Sequence, residues 1–114
     1  MERITRNFAR EEFVCKCGCG LKAINPAIVQ RLQVIRDIVN LPVLILSGYR
    51  CKKHNEEIKG AKNSEHMNGN AVDFRIEDYS MQHLAIMLTE WSGGFHFYSL
   101  ENFIHVDIGQ RRRW

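Results

Sequence analysis

Three side chains in two well-separated segments have the donor atoms of a metal site. His66 and Asp73 lie in SEHMNGNAVD (64–73), and His105 lies in FIHVDI (103–108). Three nitrogen and oxygen ligands from separate segments leave one position open for water, which a catalytic zinc ion needs. Such an ion lowers the pKa of its water to about 7 and polarises a substrate carbonyl. The alternative is that these are ordinary solvated polar groups, the usual state of a lone exposed His or Asp on a strand.

Both segments are predicted to contain strands that turn these side chains away from the core. In NAVDFRI (70–76) and in FIHVDI, apolar residues alternate with polar ones, so Asp73 and His105 face away from their apolar neighbours. Phe103 and Asp107 share the face of His105. FHFYS (95–99) and FIHVDI are close enough in sequence to form a hairpin. The apolar residues that would anchor the strands are Val72, Phe74, Ile76, Ile104, Val106 and Ile108.

Two helices are predicted around these strands. Asn25 is a helix cap followed by Pro26 at the first helical position, and Ser80 caps a second helix. Residues 43–47 indicate a buried strand, and residues 52–58 indicate a short helix. The buried stripes are Ile28, Val29, Leu32, Ile35 and Val39 in the first helix, and Leu84, Met87, Leu88 and Trp91 in the second. The pattern favours an α+β fold, a small mostly antiparallel sheet with helices packed on one side.

The length and charge of the chain limit the kinds of protein that it can be. The 114 residues are expected to form one domain spanning 1–114, and no apolar run approaches a membrane span of about 20 residues. MERITRNFAREEF lacks the apolar run of a signal peptide, so synthesis in the cytoplasm is expected. The net charge of +3, much of it in Arg111, Arg112 and Arg113, does not indicate a nucleic-acid partner. The charge fits mild attraction to an anionic polymer or surface, and equally a solvated tail, which is the form we expect.

Four cysteines, Cys15, Cys17, Cys19 and Cys51, form a second group with possible chemistry. In a cytosolic chain such a group favours metal binding or redox chemistry over a disulfide framework. However, C-x-C-x-C is not the C-x2-C pair of common structural zinc sites. Three interpretations stay open: a structural zinc held by four thiolates, one disulfide to Cys51, or free thiols packed as small apolar groups.

The sequence also resembles a known family over nearly its whole length. The segments that carry the resemblance are EFVCKCGCG (12–20), SGYRCKKHNEEIKGAKNSEHMNGNAVDFRI (47–76) and FIHVDIGQRRRW (103–114). They follow the order S-G-Y-R, then S-x-H-x-x-G-x-A-x-D, then a late H-x-D. This order resembles the zinc D-alanyl-D-alanine carboxypeptidase family, with its hedgehog-like zinc fold. The small phage and bacterial members that cut peptidoglycan peptides look most similar.

The resemblance implies roles for particular residues. It implies that His66, Asp73 and His105 bind zinc. Arg50, in S-G-Y-R, matches a position near the substrate, where a guanidinium can hold a carboxylate or carbonyl oxygen. Ser64 either hydrogen-bonds the substrate or turns the loop.

The proton acceptor is the position at which this sequence departs from better-known relatives. Peptide hydrolysis at zinc normally needs a carboxylate or His that takes a proton from water. Those relatives place Asp or Glu three residues before the last ligand His, where this chain has Asn102. Asp107 is the preferred substitute, because two residues along a strand (about 6.6–6.8 Å) keep it on the face of His105. Asp107 could instead orient that His, and Glu101 is the alternative base.

The sequence therefore predicts a zinc peptidase that hydrolyses peptide bonds of peptidoglycan, as a carboxypeptidase or an endopeptidase. The setting that the resemblance implies is phage or prophage cell-wall lysis, with the chain reaching the wall as an endolysin after release. The expected partners are peptidoglycan stem peptides, and the expected state is a monomer without nucleic acid. The alternative is a catalytically inactive zinc-binding domain of the same fold, which the Asn at position 102 keeps open.

Overall fold

A five-stranded sheet carries two of the three candidate ligands in the computed structural model, which describes residues 2–114. Its strands run in the order β3-β4-β6-β5-β7, and every neighbouring pair is antiparallel except the parallel pair β5 and β7. A separate hairpin near the N-terminus pairs β1 with β2. The strands are β1 (Arg3–Thr5), β2 (Phe8–Ala9), β3 (Leu44–Ser47), β4 (Ala71–Arg75), β5 (Gly94–Tyr98), β6 (Phe103–Asp107) and β7 (Arg112–Arg113).

The register of β4 on β6 brings the two strand-borne ligands together. Asp73 lies directly opposite His105, and Ala71 lies opposite Asp107. Directly opposite residues of an antiparallel pair have Cβ atoms about 4.5–5.5 Å apart, so their side chains can touch. The alternating apolar residues point to the other face, where they are completely buried: Val72, Phe74, Ile104 and Val106. The predicted alternation in both strands is thus confirmed.

Three helices surround the sheet: α1 (Pro26–Val39), α2 (Lys52–Glu57) and α3 (Met81–Met87). The predicted caps are confirmed, because the side chain of Asn25 accepts the N–H of Ala27 and that of Ser80 accepts the N–H of His83. α1 ends at Val39 and is capped by Asn40, whose left-handed φ of 56° stops the helix. No helix in residues 2–114 combines the length and the apolarity needed to cross a membrane.

Helices α1 and α3 cover one face of the sheet, as predicted for the two main helices. Buried residues of α1 and α3 join the apolar residues of β3, β4, β5 and β6 in one cluster, which leaves the opposite face of β4 and β6 for polar groups. The prediction that Met87 is buried is wrong, since its exposed fraction is 41%. α3 has only seven residues and ends at Met87, so Trp91 enters the core from the turn that follows. The helical residues of the cluster are Ile28, Val29, Leu32, Ile35, Met81 and Leu84.

A short 3₁₀ turn, Glu65–Asn68, delivers His66 to the polar face. Gly69 ends this turn with a φ of 72°, and a Cβ there would lie 1.9 Å from the carbonyl oxygen of Ala23. Glycine is the residue that satisfies both constraints, because it lacks a Cβ and tolerates positive φ. The turn then feeds directly into β4, so His66 and Asp73 are held by one continuous rigid segment.

The C-terminal arginines do not form a freely solvated tail, which corrects that expectation. Arg112 and Arg113 form β7 and pair with Gly94 and Phe95 at the edge of the sheet. Although Arg113 is exposed, its guanidinium donates to the carbonyls of Gly93 and Thr89 at 2.8 and 3.0 Å. The sequence shows the charges of this segment. It does not show the partner strand and the carbonyl groups that hold the segment, because they belong to residues distant in sequence.

Leu32 and Val34 provide a matched test of this core. Leu32 is completely buried in α1, whereas Val34 on the same helix has an exposed fraction of 57%. We expect Leu32→Ala to lower the free energy of unfolding by about 2–5 kcal/mol, because it removes packed methyl groups and leaves a cavity. Val34→Ala should change it by less than about 0.5 kcal/mol. Urea unfolding followed by circular dichroism measures both, and equal losses would contradict the described packing.

Candidate functional site

The three predicted ligands converge on the polar face of the sheet. Oδ1 of Asp73 lies 3.3 Å from Nε2 of His66 and 2.9 Å from Nδ1 of His105. One donor atom from each residue lies within 4.8 Å of the other two. Donors that share a tetrahedral zinc at about 2.0–2.2 Å are about 3.3–3.6 Å apart. The two distances to Asp73 are close to this range, and the donor set is compact enough for one zinc ion.

Hydrogen bonds behind the two imidazoles decide which ring nitrogen faces the site. Nδ1 of His66 lies 2.9 Å from the carbonyl oxygen of Gly48 and must donate to it. Nε2 of His105 lies 2.9 Å from Oδ2 of Asp107 and donates to that carboxylate. The remaining nitrogens, Nε2 of His66 and Nδ1 of His105, then turn their lone pairs towards Asp73. Two lone pairs and a carboxylate facing one another call for a cation between them, which is the donor set of a metal site.

The pKa values of Asp73 and His105 are shifted in the directions that favour positive charge in this site. Burial alone would raise the pKa of Asp73, but hydrogen bonds with His105 and His66 lower it to about 2. Burial would lower the pKa of His105, but its hydrogen bonds with Asp107 and Asp73 raise it above the ordinary value. When His105 is protonated on both ring nitrogens, its Nδ1 proton can be donated to Asp73. A metal ion has to displace that proton to bind.

Asp107 is completely buried and fully hydrogen-bonded. Its Oδ1 accepts the backbone N–H groups of Gly94 at 2.8 Å and Gly109 at 3.1 Å. Its Oδ2 accepts His105 and also Arg112 at 3.0 Å. Burial alone would raise the pKa of Asp107. These donors outweigh that effect and hold the pKa below its usual range. A Cβ at position 94 would lie 2.3 Å from Oδ2, so glycine makes room for the carboxylate. These contacts match the orienting role that the sequence also allowed for Asp107.

A cavity of about 330 Å³ opens over the candidate ligands, and we call it the site cavity. Both residues predicted to face substrate, Arg50 and Ser64, line it. Glu101 and Asn102 do not, because they lie exposed in the turn between β5 and β6. The lining residues are Arg50, Gly60, Ala61, Asn63, Ser64, Glu65, His66, Asp73, Tyr98, His105, Arg112 and Trp114.

Arg50 is held rigidly at the edge of the site cavity. Its Nη1 donates to Oδ1 of Asn55 at 2.9 Å, and its Nη2 donates to Oγ of Ser47 at 3.3 Å. Its backbone N–H donates to the carbonyl of His66 at 3.0 Å, which ties it to the ligand-bearing turn. Burial lowers the pKa of the guanidinium, and the nearby charge of Asp73 opposes that shift. The arrangement presents a fixed positive charge beside the candidate metal ligands.

Ser64 has a clear structural contact within the same turn. Its Oγ accepts the backbone N–H of His66 at 3.2 Å, which caps the 3₁₀ turn. Of the two roles open from sequence, this contact supplies the loop-turning one. The hydroxyl also lines the site cavity, so substrate contact stays a prediction.

The sequence interpretation missed the wall that the C-terminal residues build. The ring of Trp114 stacks on His96 with centroids 5.2 Å apart and lies 5.4 Å from the ring of His105. The guanidinium of Arg112 sits 4.6 Å over the same indole. It also missed Glu65, a half-buried carboxylate lining the site cavity. The only sign of this role in the sequence is that Glu65 directly precedes the candidate ligand His66.

The four cysteines also come together. Sγ of Cys17 lies 3.5 Å from Sγ of Cys15 and 3.7 Å from Sγ of Cys51. Together with Cys19, all four sulfurs lie within 4.8 Å of one another, and none forms a disulfide. We call this group the cysteine cluster.

Comparison with known proteins places the chain in a family and agrees with its fold. The chain matches the family Peptidase M15 over residues 6–107, a range that contains all three candidate ligands. It is 32% identical over 102 residues to the peptidoglycan L,D-endopeptidase MepK of Escherichia coli strain K12, covering 82% of this chain and 56% of that protein.

The probable peptidoglycan L,D-endopeptidase MepK of Haemophilus influenzae is 32% identical over 100 residues, covering 80% of this chain and 54% of that protein. The chain thus spans about half the length of the curated relatives it matches. Its α+β fold, with a mostly antiparallel sheet, agrees with the family match. This chain belongs to the peptidase M15 family.

Proposed function

We propose that this chain is a zinc-dependent peptidase that hydrolyses peptide bonds in peptidoglycan. The observation that carries the proposal is the convergence of His66, Asp73 and His105 under a cavity edged by Arg50 and Arg112. The names of the relatives, peptidoglycan L,D-endopeptidases, favour endopeptidase over carboxypeptidase activity. The biological setting we propose is phage or prophage cell-wall lysis, with the chain acting as a monomer on stem peptides.

The residues of the chain prepare the site for zinc, which would polarise a substrate carbonyl and activate a water. Gly48 and Asp107 hold the two imidazoles in the tautomers that direct a lone pair at the ion. Asp73, charged over the whole physiological range, supplies the anionic ligand. His66, Asp73 and His105 would hold the ion, and a catalytic zinc with three protein ligands keeps a position for water or substrate.

Two guanidiniums give the site cavity a preference for anionic peptide groups. Arg50 and Arg112 both line it, and peptidoglycan stem peptides carry free carboxylates. A fixed guanidinium binds a carboxylate with two parallel hydrogen bonds, or an oxyanion as charge develops on it. The role proposed for Arg50 is to orient the peptide so that its scissile carbonyl lies over the ligands.

Three carboxylates are candidates for the proton acceptor. Asp107 was preferred from sequence, but all of its hydrogen bonds hold His105, Arg112 and two backbone N–H groups. Glu101 lies outside the site cavity. Glu65 lines it without being a candidate ligand, and its Oε1 accepts the side-chain N–H of Asn68 at 2.9 Å. Position favours Glu65 as the group that takes a proton from the attacking water.

The central prediction is that digestion of peptidoglycan depends on zinc. Purified protein should release new muropeptide fragments, detected by mass spectrometry, and a chelator should abolish them until zinc is restored. His105→Ala should release none, because it removes a ligand. Digestion that survives both the chelator and this substitution would end the proposal. Zinc binding without digestion would instead support an inactive zinc domain, the alternative to which Asn102 points.

Glu65→Gln tests the proton acceptor. We expect it to lower kcat by about 10²–10⁴-fold, the usual contribution of general acid–base catalysis, with an unchanged zinc content. Glu101→Gln is the matched control and should leave kcat within about twofold, because its side chain lies outside the site cavity. Full activity in the Glu65 variant would return the role to Asp107.

The raised pKa of His105 predicts a pH dependence that zinc removes. A raised folded-state pKa gives stability that is fully present below the unfolded value of about 6.5 and is lost as pH rises through the folded value. Thermal unfolding of zinc-free protein should therefore show a falling midpoint over that range, and zinc-loaded protein should not. Asp107→Asn should flatten the slope, because it removes a charge that raises this pKa, and weaken zinc binding by about 10–100-fold. An unchanged slope in that variant would contradict the assigned contacts.

A further inference from the structure

The cysteine cluster has the spacing of a closed metal site. Four sulfurs bound to one tetrahedral zinc at about 2.3 Å would lie about 3.8 Å apart. The measured separations of Cys17 from Cys15 and from Cys51 are 3.5 and 3.7 Å, and all four sulfurs lie within 4.8 Å. The shallow cleft beside Cys17, Cys19 and Cys51 shares no lining residue with the site cavity. The cluster is therefore a separate place in the molecule.

We propose that Cys15, Cys17, Cys19 and Cys51 bind a second zinc ion, which is structural and ties the N-terminal loop to the segment that carries Arg50. Four protein thiolates fill all four positions of the ion, so no position is left for substrate. On binding, each thiol releases its proton to solvent. Soft thiolates in a tetrahedral arrangement select zinc or iron, and zinc is the usual ion of closed structural sites.

The loop is shaped so that its three thiols reach one point. Gly18 and Gly20 flank Cys19 with φ values of 88° and 80°. This left-handed backbone is open to glycine and strained for other residues, and it folds the chain back around the sulfurs. The N–H of Cys15 donates to the carbonyl of Leu21 at 2.8 Å, which closes the loop at its base.

Backbone N–H groups favour the thiolate form at two of the four cysteines, Cys15 and Cys51. The backbone N–H of Cys51 donates to Sγ of Cys15 at 3.4 Å, and that of His54 donates to Sγ of Cys51 at 3.3 Å. Donors aimed at sulfur stabilise its anionic form. Lys53 lines the adjoining cleft, and Lys16 and Lys52 are sequence neighbours of the ligands. The positive charge of Lys53 would partly offset the net negative charge of a zinc ion with four thiolates.

The two competing interpretations fit the contacts less well. A disulfide requires one defined pair at about 2.05 Å, but Cys17 is almost equally close to Cys15 and Cys51. Free thiols packed as apolar groups should be buried, whereas Cys17 and Cys19 are exposed. Exposed thiols that nevertheless converge on one point are what metal ligation explains.

The second zinc would act on the site cavity through its neighbours in sequence. Cys51 follows Arg50 directly, and Gly48, whose carbonyl fixes the ring of His66, lies three residues before it. The same segment is joined to the N-terminal part of the chain by a hydrogen bond from the N–H of Tyr49 to the carbonyl of Phe13 at 2.9 Å. A metal crosslink from Cys15 to Cys51 would reinforce this junction, so the cluster positions Arg50 without contacting substrate.

Metal content and cobalt absorption test the site in the whole chain. We expect two zinc ions per wild-type chain, and one after Cys17→Ser with Cys19→Ser, exposed positions where serine is tolerated. Cobalt-substituted wild type should show the intense charge-transfer absorption of thiolate ligands. That absorption should be lost in the cysteine variant and kept in the matched control, His66→Ala with His105→Ala, because the first site has no thiolate. The two sites are thereby scored separately, whatever the outcome for peptidase activity.

Three results would overturn the proposal. The first two are that wild type purified under reducing conditions lacks the thiolate absorption with cobalt, or holds iron in place of the second zinc. The third is that wild type purified aerobically in the presence of zinc has an intact mass two hydrogens lower, because a disulfide has formed. All three measurements use wild type, so none of them depends on the folding of the Cys17→Ser, Cys19→Ser variant. If the variant folds with one zinc, its KM should rise relative to wild type while the zinc at the histidine site is retained, because Arg50 is less firmly held.

Discussion

The pairing of Asp73 with His105 across β4 and β6 is the contact on which the rest of the site depends. Side chains alternate along a strand, so a slip of one residue would send Asp73 into the core and expose Phe74. The apolar residues facing α1 and α3 thus fix the register of the polar face as well as the stability of the fold. Hydrophobic burial on one side of the sheet determines ligand geometry on the other.

The pair is supported by a buried charge, the carboxylate of Asp107, which accepts a hydrogen bond from His105. Asp107 is removed from water completely, which is unfavourable for a carboxylate unless donors replace the solvent. Two backbone N–H groups, His105 and Arg112 do so, and Gly94 leaves the space. The carboxylate therefore organises three things together: the tautomer of a ligand, the turn after β6, and the return of the chain to the edge of the sheet. Such a group is better suited to holding neighbours than to moving.

The local sequence pattern was sufficient to predict most helices and strands, but it predicted only part of the candidate metal site. Alternation predicted β4 and β6, caps predicted α1 and α3, and the resemblance named residues that the structure brings together. Met87 was placed wrongly because the helix is shorter than its apolar stripe. Arg112 and Trp114 were not foreseen as cavity walls, because their places depend on pairing with β5, distant in sequence. Glu65 illustrates the same limit. The spacing of motif residues can indicate candidate ligands, but only the folded structure shows which carboxylate lines the cavity.

The short strand β7 has a second consequence, for how copies of the chain meet. Without it, β5 would present a row of unpaired backbone groups, and such an edge can recruit a strand from another molecule. Two residues suffice to occupy part of that edge, and both are arginines, whose charge repels a like edge. The segment that walls the cavity thus also acts as a gatekeeper against intermolecular β-pairing, so shortening it would favour aggregation even where the core stays intact.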